Sequence, residues 1–200
     1  MRSSDHGRQE ILDAAEGLFV RYGFKKTSID DVARTARIGK GSVYLHFSSK
    51  EEIFAEVVRR VSSRMLETLV AAVKRARSPV GKLRAFVEAK LTSVAELAAE
   101  YHLGEETVLE LLPLANSLRE AHLAQEKSLL EHVLRDGVAS GALTLEHPDL
   151  VATGIMATLG ALEATMAVHT RQVADVRAGL DELLSVLLRG LNSGPSSRTT

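Results

Sequence analysis

The apolar residues of this 200-residue chain repeat with the period of an α-helix almost from end to end, and that repeat limits the fold more than any other feature. Ile11, Leu12, Ala15, Leu18, Phe19 and Tyr22 recur at steps of three and four, which places them on one face of a helix. Gly23 then stands where a helix-ending residue takes a left-handed backbone. The only strand-like alternation, Leu143 to Leu145, is too short to pair with anything. The pattern predicts an all-α chain of about nine helices, three small ones followed by six longer ones.

Capping and breaking residues divide the pattern. In "TSIDDVARTA", either Thr27 with Asp30 or Ser28 with Asp31 has capping-box spacing, and the second helix ends near Ala36. A third short helix is expected from about Lys40 to Phe47. Ser49 as N-cap and Glu52 as its reciprocal partner open a long fourth helix, with Phe54, Val58, Val61, Met65 and Leu69 on one face. Ser78 and Pro79 read as an N-cap and first-turn proline for the fifth, which carries Leu83, Phe86, Val87, Leu91, Val94 and Leu97. A sixth helix is expected over residues 103–112, stopped by Pro113. Ser117 with Glu120 opens a seventh, to about Ser140. Pro148 starts an eighth, to about His169, and Val176 to Leu191 forms a ninth. The predicted organisation is a head over residues 1–54, a body over 55–192 and a polar, disordered tail over 193–200.

Composition removes whole classes of function. Without cysteine there is no disulfide, zinc finger or thiol chemistry. No apolar run reaches membrane-spanning length, and the first ten residues lack the apolar stretch of a secretory signal, so a cytoplasmic location is expected. No nucleophile–base constellation and no paired carboxylates in an apolar setting are present, so an enzyme is not expected, nor a metal or cofactor. "GKGS" lacks the preceding strand and the spacing of a nucleotide-binding loop. Charge is uneven. Residues 1–50 hold nine Lys/Arg and six Asp/Glu, a net +3; the rest hold sixteen and twenty, a net −4. A basic head on an acidic body points to nucleic acid.

The head has the chemistry for that partner. Two short helices joined by a tight turn fit a helix-turn-helix, whose second helix presents its first residues to base edges. Here these are Lys40, Gly41 and Ser42. Lysine donates to guanine O6 and N7, serine serves either base type, and glycine lets the backbone approach closely. Tyr44 and His46 can donate to phosphate oxygens. Thr27 and Ser28 sit at a helix start, and Lys50 adds a cation at another. Tyr44 also fits a ring packed in the head with its hydroxyl outward. Phe47 reads as core.

Taken together, "ILDAAEGLFVRYGFKKTSIDDVARTARIGKGSVYLHFSSKEEIF", Ile11 to Phe54, resembles the N-terminal DNA-binding domain of the TetR family of bacterial transcriptional regulators. It spans about a quarter of the chain. The resemblance implies a homodimer on a palindromic operator, usually a repressor, with a C-terminal domain that binds a small molecule and releases DNA. By position it implies DNA contacts at Thr27, Ser28, Lys40, Gly41, Ser42, Tyr44, His46 and Lys50. The sequence departs from the family habit of Gly, then Ser two residues on, in the turn: Arg37 and Gly39 stand there. A left-handed arginine costs roughly 1–2 kcal/mol, so a turn of different shape is expected. Arg37 alternatively serves as an added phosphate or base contact. Gly39 is an acceptable N-cap.

The body's last two expected helices differ in kind. Gly154, Ala157, Thr158, Gly160, Ala161 and Ala164 line the eighth with small residues. Leu180, Leu183, Leu184, Leu187, Leu188 and Leu191 give the ninth a broad apolar stripe. Two such helices per subunit would form a four-helix dimer interface centred on Gly154, Ala157, Thr158, Ala161, Leu180, Leu184 and Leu187; an internal core is the alternative. Phe86, Tyr101, His102, Met156 and Met166 are the candidate lining of an effector pocket. The absence of Trp argues against flat multi-ring ligands and for an aliphatic or acyl one. A transcriptional activator, or a DNA binder without a ligand, is the alternative to a repressor.

Overall fold

The computed structural model describes residues 2–101, 105–168 and 182. Eight helices are α1 (Arg2–Tyr22), α2 (Ile29–Thr35), α3 (Lys40–Tyr44), α4 (Lys50–Arg75), α5 (Pro79–Tyr101), α6 (Glu105–Leu118), α7 (Glu120–Ala139) and α8 (Pro148–Val168). No strand occurs among the described residues, as the helical period dictated. The expected ninth helix and the tail, with Leu180, Leu184 and Leu187, lie outside the described residues. So do His102 and the side chains of Tyr101 and Met166.

Most boundaries follow the capping chemistry. Gly23 ends α1 with φ +82°, its N–H donating to Phe19 O at 2.9 Å. Of the two capping boxes offered for α2, Ser28 with Asp31 forms. Ser78 Oγ accepts from Gly81 N–H at 3.0 Å, one residue before Pro79 opens α5. Gly141, at φ +72°, closes α7, and the N–H groups of Ala142 and Leu143 both donate to Gly137 O.

Four details at helix ends differ from expectation. α3 stops at Tyr44, with Leu45 as its C-cap, rather than running to Phe47. α6 does not stop at Pro113 but carries it internally to Leu118. Proline's fixed φ is itself helical, so a helix continues past it with one hydrogen bond missing. Ser117 therefore lies inside α6 and caps nothing: its hydroxyl donates back to Leu114 O at 2.9 Å. At α4, Ser49 Oγ does accept from Glu52 N–H at 3.1 Å. The Glu52 carboxylate, however, reaches Ser48, accepting from its N–H at 2.7 Å and its hydroxyl at 2.6 Å, and those bonds hold it below its ordinary pKa.

The chain divides into two compact units, Met1–Arg64 with Ala98–Glu120, and Met65–Leu97 with Ala121–Thr200. The core of the first gathers Ile11, Leu12, Ala15 and Phe19 of α1, Val32, Val43 and Phe47 of the small helices, and Ile53, Phe54 and Val57 of α4. Phe19, Phe24 and Phe54 meet as a ring cluster with centroids 5.1–5.7 Å apart. On the rim of this core, buried Glu16 of α1 takes both Arg60 and Arg64 of α4, and Arg60 also reaches Asp13 at 2.6 Å. In the second unit the buried apolar residues are Leu83, Phe86, Val87 and Leu91 of α5, Leu130, Val133 and Leu134 of α7, and Ala152 and Leu159 of α8. Within it lies a charged cluster. Lys90 Nζ stands 2.6 Å from Glu126 Oε2 and 3.0 Å from Glu163 Oε1.

Candidate nucleic-acid interface

The turn between α2 and α3 is built from its backbone outward. Ala36 N–H closes α2 on Val32 O at 2.9 Å, and Ile38 N–H returns to Ala33 O at 3.0 Å. Between them Arg37 takes φ +58°, the only non-glycine residue with positive φ among those described. The expectation that arginine would force another turn shape is thus overturned. Half-buried Ile38, packed against the head core, and the Ile38–Ala33 bond hold the chain on either side. The arginine accepts a backbone cost of roughly 1–2 kcal/mol and its side chain stays exposed. Gly39 is the N-cap of α3, extended at φ −70° and ψ 145°, with no side-chain cap.

From that turn α3 projects a set of reachable groups. Arg37, Lys40, Gly41 and Tyr44 are exposed, and Ser42 is half-buried. A Cβ placed on Gly41 would meet nothing within 4 Å, so the fold itself does not require glycine there. Val43 is fully buried and anchors the helix to the core. Tyr44 is half exposed, which joins the two readings offered for it. His46 is half-buried against α1, where a Cβ on Gly7 would come within 3.3 Å of its Nε2. Ser28 is exposed and engaged in its capping box. Its hydroxyl donates to Asp31 Oδ2 at 2.6 Å while accepting from Asp31 N–H at 3.2 Å. Those Ser28 bonds, with Arg34 adding, hold the Asp31 carboxyl below its ordinary value.

Two expected contacts are placed differently. Thr27 is only 3% exposed, and its hydroxyl donates inward to Gly23 O at 2.8 Å. It serves to close the α1–α2 connection, since a buried hydroxyl must find an acceptor. Lys50 also turns inward: its ammonium donates to Phe24 O at 2.8 Å and Thr27 O at 3.0 Å and lies 4.3 Å from the Phe24 ring centroid. Two of its three donors are committed to the same connection, which leaves one for a phosphate.

The sequence reading also missed groups. Lys40 Nζ is paired with Asp30 Oδ2 at 2.9 Å, and this bond and charge raise the lysine's pKa. Leu45, at the end of α3, is 84% exposed; its flanking Tyr44 and His46 drew attention to hydrogen-bond donors instead. Phe86, expected at a pocket, is fully buried, and Met156 is half-buried on α8. Gly154, Ala157, Thr158 and Ala161 are exposed on α8. No helix among the described residues is long and apolar enough to cross a membrane.

Comparison with known proteins fits this geometry. Residues 11–57 match the family described as bacterial regulatory proteins, tetR family. The chain is 29% identical over 146 residues to the uncharacterized HTH-type transcriptional regulator YhgD of Bacillus subtilis, covering 71% of this chain and 74% of that one. It is 26% identical over 190 residues to the fatty acid metabolism regulator protein of the same organism, covering 92% and 95%. It is 28% identical to the transcriptional repressor KstR2 of Mycolicibacterium smegmatis, covering 72% and 69%. In fold it is similar to the fatty acid degradation regulator FadR of Bacillus halodurans, with a TM-score of 0.72 at 21% identity, covering 94% and 97%. The helix-turn-helix assembled from these residues lies within the segment, residues 11–57, that matches the tetR family of bacterial regulatory proteins.

Proposed function

We propose that this protein is a cytoplasmic transcriptional repressor that binds a palindromic operator as a homodimer and leaves it when a small apolar or amphipathic effector binds the body. The observation that carries this reading is the face formed by α3 and the turn before it: Arg37, Lys40, Gly41 and Tyr44 are exposed and Ser42 half-buried, presenting donors and open backbone on a helix anchored from behind by Val43. Lys40, Gly41 and Ser42 would read bases, while Ser28, Arg37, Tyr44, His46 and the remaining donor of Lys50 would fix the protein on phosphates. Thr27 then acts by closing the connection that presents Ser28. On α8, exposed Gly154, Ala157, Thr158 and Ala161 have the i, i+3, i+4, i+7 spacing of one helix face, which suits close approach by a second subunit. The relatives named for fatty acid metabolism support an aliphatic or acyl effector.

Gel shift of the purified protein on its own upstream DNA tests the reading. A retarded band that weakens steeply with salt and dissolves on addition of an acyl effector is expected. No shift of any palindrome from that region at low salt would sink it. Gly41→Ala is a sharper probe: the fold has room for the methyl group, so thermal stability should hold while operator affinity falls about tenfold or more through lost backbone approach.

A further inference from the structure

The Asp30–Lys40 bridge lies on the face just assigned to DNA, and both of its side chains are exposed. Asp30 is on the first turn of α2 and Lys40 is the first residue of α3, ten positions later. Their charged groups are 2.9 Å apart, with side chains 64% and 51% exposed. The adjacent Asp31 makes a useful contrast, since its carboxylate is spent on the capping box and Arg34. Asp30 makes no cap contact; its partner is the one cation at the start of the reading helix.

We propose that Asp30 is a specificity-determining residue, which tethers the Lys40 ammonium and discourages it from binding phosphates indiscriminately. This rests on the DNA-binding reading above. Lysine has three donors, of which Asp30 takes one. A guanine O6 or N7 is a neutral acceptor, so it can be added beside the carboxylate with the bridge intact. A phosphate is an anion. To reach the same ammonium it must stand close to the Asp30 carboxylate, or the bridge must open and leave that carboxylate facing the polyanion. Asp30 therefore penalises backbone contact more than base contact. The effect widens the gap between operator and random DNA without strengthening operator binding.

The test uses the full-length protein, an operator duplex selected from a random library by the wild-type chain, and a scrambled duplex of equal composition. Affinities are measured across a salt series for wild type, Asp30→Asn, Lys40→Met and the double variant. Asp30→Asn should bind scrambled DNA about three- to tenfold more tightly, with a salt slope steeper by about one phosphate contact. Its operator affinity should change much less, so the specificity ratio falls. In the Lys40→Met background the same substitution should leave that ratio unchanged. An equal gain on both duplexes, or an undiminished effect without Lys40, would overturn the inference and reduce Asp30 to a general repulsive charge. If wild type selects no sequence at all, it is the DNA-binding reading that fails.

Discussion

Two lysines in this molecule make nearly the same contact in opposite surroundings. Lys40 stands 2.9 Å from Asp30 with both side chains more than half exposed; Lys90 stands 2.6 Å from Glu126 with exposures of 1% and 0%. In water the first pair gains little, because solvent screens it and would hydrate either partner alone. It can be exchanged for another partner at small cost, which suits a surface that must bind and release. The second pair has no such freedom. Its ions were stripped of water during folding, and the ammonium now depends on the carboxylates beside it for compensation. Distance alone therefore predicts neither stability nor role; the medium around the pair does.

The largest break in that comparison is Lys90→Ala. It leaves the Glu126 and Glu163 carboxylates without their buried ammonium, and urea denaturation should show a loss of about 3–5 kcal/mol. Lys40→Met, by contrast, should not move the unfolding midpoint. Next comes Gly137→Ala in the body. Its Cβ would fall 2.4 Å from Leu143 Cδ1 and 2.8 Å from Cγ, and Leu143 is itself buried. A net loss of about 1–2 kcal/mol is expected by overpacking, less than additive with Leu143→Ala. In the head, Arg37→Gly should stabilise by about 0.5–1 kcal/mol, since relief of the left-handed arginine exceeds glycine's added chain entropy. The same variant should weaken operator binding, measured by gel shift.

The smallest effect is a pH dependence at Asp31. Its folded pKa lies below the ordinary value of 3.8. The carboxylate's contribution is therefore complete above that value and is lost as pH falls through the lower, folded one. Asp31→Asn should flatten the acid limb of the stability–pH curve below about pH 4. A limb of unchanged slope would place the acid sensitivity elsewhere.

Much of this was legible in the sequence because it is local. Gly23, Ser28 with Asp31, Ser78 with Pro79, and Pro148 each act within one helical turn, and the chain records them in order. Phe47 was legible as core, and the fold buries it. What stayed hidden depends on distant partners. Nothing near Thr27 announces that its hydroxyl will find Gly23 O, or that Lys50 will reach back to Phe24. A basic residue at a helix start reads as a phosphate ligand until the fold shows a carbonyl in its place. Pro113 was misjudged for a different reason: a proline marks a missing hydrogen bond, and only packing decides whether the helix stops there. Arg37 was misjudged because a backbone cost of one or two kcal/mol is small beside the burial of the residues on either side of the turn.

The inward turn of Lys50 has a consequence for chemical reactivity. An amine attacks an acylating reagent only as the free base, after it has released its proton and its acceptors. The Lys50 ammonium is held by two carbonyl oxygens and an aromatic face, while Lys25 in the same connection is exposed. The two lysines thus form an internal clock. The order in which they take up a label reports whether the connection before α2 is closed, in free protein and on DNA alike.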